Sequence, residues 1–374
     1  MTHRERVLAA LNHEEPDRVP VDFGGTFATT INIGAYERLK EYLGITTESR
    51  VASIRSQIAE VEEDILHRFD VDTRGVMFGA PDRSLFEQYP DGSYRDEWGV
   101  VRSKPHGIGH YMDTVNPFAG EPTQADIDKH EWFDPDDPGW TRGVSERARQ
   151  LREETDYAVI LSLPVGVMHQ TQFLRGYVNW MMDTIANRVF FDALMERVTD
   201  LVLRVSENLL VAVGDNVDVV FYGDDVAMQS GPLVSHDVYL ECIKPWHRKI
   251  FGFIRSRTKA KILYHSCGSV YSLIPDLIDL GIDALNPIQV SAKDMDTARL
   301  KREFGKHLTF WGGVDTQQVL PRGTPDDVRA EVRRRIHDLS GNGGYVLNSV
   351  HNIQREVPPE NVCAMFEAAR ERGS

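Results

Sequence analysis

The stretch Lys261-Ile262-Leu263-Tyr264-His265-Ser266-Cys267-Gly268, continued through Ser269–Leu280 to Gly281-Ile282-Asp283-Ala284-Leu285-Asn286-Pro287, decides the fold class. A short apolar run closes on polar residues and a glycine. Val270, Leu273, Ile274, Leu277 and Ile278 then recur on one side of a predicted helix, and Gly281 supplies its stop. A second short apolar run follows at Ala284–Asn286. Strand, helix and strand at this spacing describe a βαβ unit, in which a covering helix joins two parallel strands.

The same alternation extends in both directions. Predicted strands are Thr73–Phe78, Ala158–Leu163, Val217–Tyr222, Lys261–His265, Ala284–Asn286, Leu308–Trp311 and Tyr345–Asn348, with a further short one at Val19–Phe23. Between the later strands lies a predicted helix at Pro325–Leu339. Thr324 caps it, Pro325 occupies its first turn, and Val328, Val332 and Ile336 recur every four residues. This strand count approaches the eight of a closed barrel. An open doubly wound sheet is the alternative, but no Gly-x-Gly-x-x-Gly follows a strand and no P-loop pattern occurs. The expected fold is α/β, a (β/α)8 TIM-type barrel, with residues 1–374 forming a single domain. An N-terminal helical extension, Thr2–Asn12, opens on Thr2 and Glu5 as a capping box and ends before Pro16 and Pro20. An insertion around residues 87–138, irregular and rich in aromatic residues (Tyr94, Trp98, Tyr111, Trp132), is expected to pack over the barrel.

Composition narrows the function classes. Apolar residues make up 41% and charged residues 26%, a globular balance. The net charge is −15, which disfavours phosphate backbones and anionic lipid, so neither nucleic acid nor membrane is an expected partner. Three widely spaced cysteines, Cys242, Cys267 and Cys363, are not a disulfide framework. The N-terminus is charged and lacks the apolar segment of a signal peptide. A cytoplasmic location is the expectation.

In a parallel barrel, reactive groups stand at the C-terminal ends of the strands. Here those ends deliver Gly223-Asp224-Asp225, His265-Ser266-Cys267, Asn286-Pro287, Gly312-Gly313-Val314-Asp315, and Asn348 followed by His351-Asn352. Imidazole and thiolate two residues apart are suited to zinc, and Gly268 lets the chain turn at once into a helix whose dipole would favour the Cys267 thiolate. The alternative is that His265 and Cys267 are packing residues. A third zinc ligand must come from elsewhere, and His351 is the best candidate. Asp224 and Asp225 are candidates for a fourth ligand or a general base, or else form a solvated turn. Cys242 and Cys363 fall in helical patterns and read as packing residues. His106, His110 and His169 are weaker candidates for a roof over the pocket.

The chain resembles the uroporphyrinogen decarboxylase superfamily. The resemblance rests on Arg4-Glu5-Arg6-Val7-Leu8-Ala9-Ala10-Leu11, Pro16-Asp17-Arg18-Val19-Pro20-Val21, His265-Ser266-Cys267-Gly268, Gly281–Pro287, Trp311-Gly312-Gly313-Val314-Asp315-Thr316 and Pro358-Pro359-Glu360-Asn361-Val362, in that order. It implies a (β/α)8 barrel and one of two activities. The decarboxylases use an arginine-bearing loop to clamp substrate carboxylates. Here that region reads Asp22-Phe23-Gly24-Gly25-Thr26-Phe27, without arginine. The corrinoid-dependent methyltransferases bind zinc through His-x-Cys and a distant Cys. His265 and Cys267 match the pair, and His351 stands about where the distant Cys would be.

The resemblance therefore implies a zinc-dependent methyltransferase, with zinc on His265, Cys267 and His351. The expected substrate is small and methylated, with an aryl methyl ether as one possibility. The cobalamin is expected on a partner corrinoid protein, since no Asp-x-His-x-x-Gly occurs here. Asp224, Asp225 and His351 are the expected catalytic residues, and Asn286, Asn348 and Asn352 are expected to orient substrate. A metal-free carboxy-lyase like the decarboxylases is the alternative.

Overall fold

Thr2 and Glu5 form the capping box expected of them, and helix α1 (His3–Leu11) follows. The computed structural model describes residues 1–104, 110–164 and 166–371. His106 lies outside the described residues. The central sheet contains β1 (Thr73–Val76), β2 (Ala158–Ser162), β3 (Val219–Gly223), β4 (Lys261–His265), β5 (Ala284–Asn286), β6 (Thr309–Trp311) and β7 (Tyr345–Val346). They pair in sequence order, each parallel to the next.

Residues 20–22 close the ring. Val21 bridges Leu347 in parallel, Asp22 N donates to Leu347 O at 2.9 Å, and Asp72 N donates to Val21 O at 2.8 Å. The eighth strand is thus the short segment expected near Val19, and the fold is a (β/α)8 TIM-type barrel. Pro20 has no N–H to give, which suits so brief a strand. Helix α1 lies across the lower end of the barrel, where Val7, Ala10 and Leu11 cluster with Ala158, Val219, Leu263, Ala284 and Val346.

Strand parity then decides what faces the lumen, because successive side chains alternate between faces. On β4, Leu263 belongs to the inner cluster, whereas Ile262 and Tyr264 pack outward against the helices. His265 shares the parity of Leu263 and points inward at the upper rim. By the same rule Asn286 follows Ala284, Gly223 follows Phe221, and Asn348 follows Val346. The register sets His265 directly beside both Asn286 and Gly223.

One predicted helix is shorter than expected. Instead of Ser269–Leu280, the chain makes a 3₁₀ turn at Tyr271–Leu273 and an α-helix at Ile274–Asp279. The amides of residues 268 and 269 are taken by tertiary partners: Gly268 N donates to Gln289 Oε1 at 2.7 Å and Ser269 N to Met228 O at 2.8 Å. Gly268 has φ +95°, and a Cβ there would stand 2.7 Å from Met228 O, so only glycine fits this turn. The helix at Pro325–Leu339 has the predicted limits and a capping box from Thr324 and Asp327.

The insertion holds a four-stranded antiparallel sheet, Glu87–Gln88, Tyr94–Arg95, Val101–Ser103 and Met112–Val115. Its buried aromatic residues join the main core, with Trp98 edge-on to Phe133 at 4.8 Å. Cys242 and Cys363 are buried, as packing residues should be. Among the described residues, no helix is long and apolar enough to cross a membrane.

Candidate metal centre

His265, Cys267 and His351 meet at the upper rim of the barrel, each offering one donor atom within 4.8 Å of the others. His265 Nε2 and Cys267 Sγ stand 3.5 Å apart. Zinc–nitrogen and zinc–sulfur bonds of about 2.1 and 2.3 Å at a tetrahedral angle would place those atoms roughly 3.5 Å apart, so this pair is already set for the ion.

The His265 tautomer is fixed from behind. Its Nδ1–H donates to Asn286 Oδ1 at 2.6 Å, and Asn286 Nδ2 donates in turn to Trp311 O at 3.2 Å. The amide cannot turn over without losing the second bond, so the lone pair on Nε2 faces Cys267. This is the outer support that metal-binding histidines ordinarily have. Asn286→Ala should weaken zinc retention about 10–100-fold, measured by competition with a chromogenic chelator. Unchanged retention would show that another group orients the ring.

His351 completes the donor set less directly. Its Nδ1 accepts the Asn352 amide at 2.8 Å, which puts the proton of the neutral ring on Nε2. Ligation through Nε2 requires that proton to move to Nδ1 and the Asn352 amide to give up its acceptor. Burial and the neighbouring His265 hold the imidazole neutral, with its pKa down to about 4. A neutral ring is what a metal needs.

Cys267 corrects the expectation of a favoured thiolate. The shortened helix begins at Ile274, too far along the chain for its dipole to act on Cys267. Burial, and then the Asp225 carboxylate, push the thiol well above its ordinary pKa. Ionisation of this sulfur is thereby disfavoured, and a metal would have to displace its proton.

The two aspartates separate. Asp224 is fully buried and accepts from Met168 N and His169 N at 3.0 Å each and from Tyr222 Oη at 3.2 Å. Its carboxylate sits at the start of the helix Val167–Arg175 and positions it, aided by Gly166, where a Cβ would collide with the same carboxylate. Asp225 faces the centre. Its Oδ1 accepts from Cys267 N at 2.7 Å and lies 3.8 Å from His265 Nε2, and its Oδ2 lies 3.4 Å from His169 Nε2. Burial opposes its charge, but the hydrogen bond and charge of His169, with the Cys267 amide, outweigh burial and hold the carboxyl well below its usual range. His169 moves the other way, raised by Asp225 against its own burial. The proton of this pair therefore resides on His169.

The three asparagines have their side chains occupied by the protein. Asn286 serves His265 as above. Asn348 Nδ2 donates to Asp22 O at 2.6 Å. Asn352 accepts from Thr30 N at 2.9 Å and donates to Phe27 O at 3.0 Å, tying the His351 loop to the segment after the closing strand at residues 20–22. His169, a weaker candidate in the sequence for a roof over the pocket, lies instead in the first turn of the helix Val167–Arg175 and reaches Asp225. His110 stands further out, its Nε2 3.3 Å from Gln354 Oε1.

A closed parallel barrel with a His/Cys/His cluster at its C-terminal rim defines the class: a TIM-type barrel with a candidate transition-metal centre. The uroporphyrinogen decarboxylase (URO-D) family matches residues 107–372, and the chain belongs to that family. A methylated-thiol–coenzyme M methyltransferase of Methanosarcina mazei is 23% identical over 268 residues, covering 67% of this chain and 66% of that protein. A uroporphyrinogen decarboxylase of Chlorobium phaeobacteroides is 23% identical over 173 residues, covering 45% of this chain and 46% of that protein. The chain thus spans just under two thirds of the first of these relatives and under half of the second. A solved methyltransferase structure from Methanosarcina mazei superposes with a TM-score of 0.67 at 20% identity, covering 99% of both chains, and shares the fold.

Proposed function

We propose that this protein is a zinc-dependent methyltransferase, moving a methyl group between a small methylated substrate and a cobalamin carried on a partner corrinoid protein. The observation that carries this reading is the convergence of His265, Cys267 and His351 at the barrel mouth. The methyltransferase among the relatives supports the class. A decarboxylase acting on a polyanionic porphyrinogen would need a cationic clamp, and the segment Asp22–Phe27 holds no arginine. An aryl methyl ether agrees with the aromatic residues of the mouth, where Phe27 meets Phe78 edge-on at 5.7 Å. Free, widely spaced cysteines accord with a cytoplasmic location.

Zinc held by His265, Cys267 and His351 would supply Lewis acidity toward the heteroatom that bears the methyl group. The protein's own residues do the rest. Asn286 holds the His265 ring in its working tautomer. Asp225 remains ionised, orients the Cys267 amide, and keeps a proton on Nε2 of His169. From there the proton can pass to the heteroatom as its methyl group departs. Gly223, directly beside His265, puts no side chain into that layer and leaves room above the strands.

The test is metal content and methyl transfer together. Protein purified without chelator should carry about one equivalent of zinc. It should convert cob(I)alamin to methylcobalamin when given a methylated donor, seen in the visible spectrum. Absence of both zinc and transfer across aryl ethers, methylated thiols and methylamines would overturn the reading.

A further inference from the structure

Among the described residues, Arg55 is a cation without a carboxylate of its own. It lies in the turn between the paired strands Val51–Ser53 and Ile58–Ala59, half-buried. Among the described residues, its guanidinium has no hydrogen bond and no ion pair; Asp96 and Asp113 act on it only at a distance. It rests 4.2 Å from the centroid of the Phe173 ring. Arg102 stands over the same ring at 4.5 Å, but Asp96 answers its charge at 2.8 Å. Burial, and then the Arg102 charge, bring the Arg55 pKa down to about 10, which still leaves it charged at neutral pH. Keeping such a charge from water without a counter-ion is unfavourable, and an incoming anion would relieve it.

The position matters as much as the charge. The Phe173 ring stacks on His169 with centroids 5.9 Å apart and planes 10° apart, and His169 is the residue that reaches Asp225. On the other side, Ala59 N donates to Ile31 O, and Ile31 bridges Ile353, next to the loop that carries His351. The guanidinium therefore lies against the helix Val167–Arg175, on the ring of Phe173 next to His169, while its own hairpin is tied through Ala59 and Ile31 to the segment beside the His351 loop.

We infer that Arg55 binds a carboxylate on the substrate whose methyl group is transferred, so that the substrate class is a small methylated carboxylic acid. This inference rests on the methyl-transfer reading above. The guanidinium presents paired N–H donors that match a carboxylate edge, and the Phe173 ring beneath holds its plane. The anion at Arg55 and the methyl-bearing heteroatom at the metal end would fix the substrate at both ends and set which heteroatom is presented.

The test is calorimetric binding to the zinc-loaded protein. The probes are 4-methoxybenzoate and methoxyacetate, each compared with its uncharged amide. The acid should bind at least about tenfold more tightly than the amide in one pair or both. In Arg55→Met that ratio should fall to near one, and in Arg55→Lys it should be intermediate, because an ammonium keeps the charge and loses the paired donors. Thermal melting checks that each variant folds; should Arg55→Met fail, Arg55→Lys decides. A wild-type protein without preference for either acid, or a preference undiminished in the variants, overturns the inference. Methyl transfer to cob(I)alamin that is indifferent to Arg55 and to the donor's charge would overturn this inference alone. An acid preference that depends on Arg55, in a protein that holds no zinc and transfers no methyl group, would instead overturn the methyltransferase reading and leave Arg55 as an anion site.

Discussion

Cys267→Ala should lower bound zinc from about one equivalent to below roughly a tenth, and methyl transfer by more than about a hundredfold, the upper end of what losing even a supporting partner costs. The argument is geometric. Cys267 Sγ and His265 Nε2 are the pair already spaced for a tetrahedral ion, at 3.5 Å, while His351 must still exchange its amide contact to join them. Removing the sulfur takes away the softer donor and half of the preset pair. The fold should be unaffected, since the Cys267 side chain is only half-buried and its amide remains on Asp225. Cys267→Ser should retain zinc poorly rather than not at all. Metal analysis, with circular dichroism as the check on folding, reads both outcomes. Full zinc occupancy in Cys267→Ala would remove the centre from the mechanism.

The second large effect lies at the opposite end of the barrel and concerns stability. Asp72 is fully buried and accepts from Arg6 Nη1 at 2.6 Å, Arg18 Nη1 at 2.6 Å, His3 Nδ1 at 2.8 Å and Val21 N at 2.7 Å. One carboxylate thus ties helix α1, the closing strand and β1 together. Asp72→Asn should cost about 1–3 kcal/mol in urea unfolding, because a fully buried carboxylate with four donors is lost while Arg6 keeps Asp17 and Arg18 keeps Asp70 as counter-charges. Burial alone would raise the Asp72 pKa, but His3, Arg18 and the Val21 amide reverse it, and the folded value lies below the unfolded one. Its contribution is therefore fully present above about pH 4 and is lost as the pH falls through the depressed folded value. The gap between wild type and Asp72→Asn should narrow in acid. A loss under about 1 kcal/mol at neutral pH would show that the network is dispensable.

Much of this protein can be read along the chain. The alternation of short apolar runs with helical periods locates the barrel strands, and the eighth strand at Val19–Phe23 is legible although only residues 20–22 pair. Two of the predicted caps are local by nature and occur as read, at Thr2 and Thr324. The His-x-Cys spacing at the end of β4 is likewise local, since strand parity already directs His265 inward.

Other features depend on residues far apart in sequence. The helix expected at Ser269 starts late because Met228 and Gln289 take the amides that would have begun it. The Cys267 thiol has a raised pKa because tertiary packing encloses it beside Asp225, an effect no helix propensity encodes. His169 joins the centre through a carboxylate more than fifty residues further along the chain, and Arg55 through the ring of Phe173. Periodicity, capping and strand-end chemistry operate over a turn or a strand pair, which is why the barrel and the candidate ligands His265, Cys267 and His351 are legible along the chain. Burial and charge pairing arise only when distant segments meet, so the hydrogen bonds that orient the two histidines and the place of His169 come from the tertiary structure.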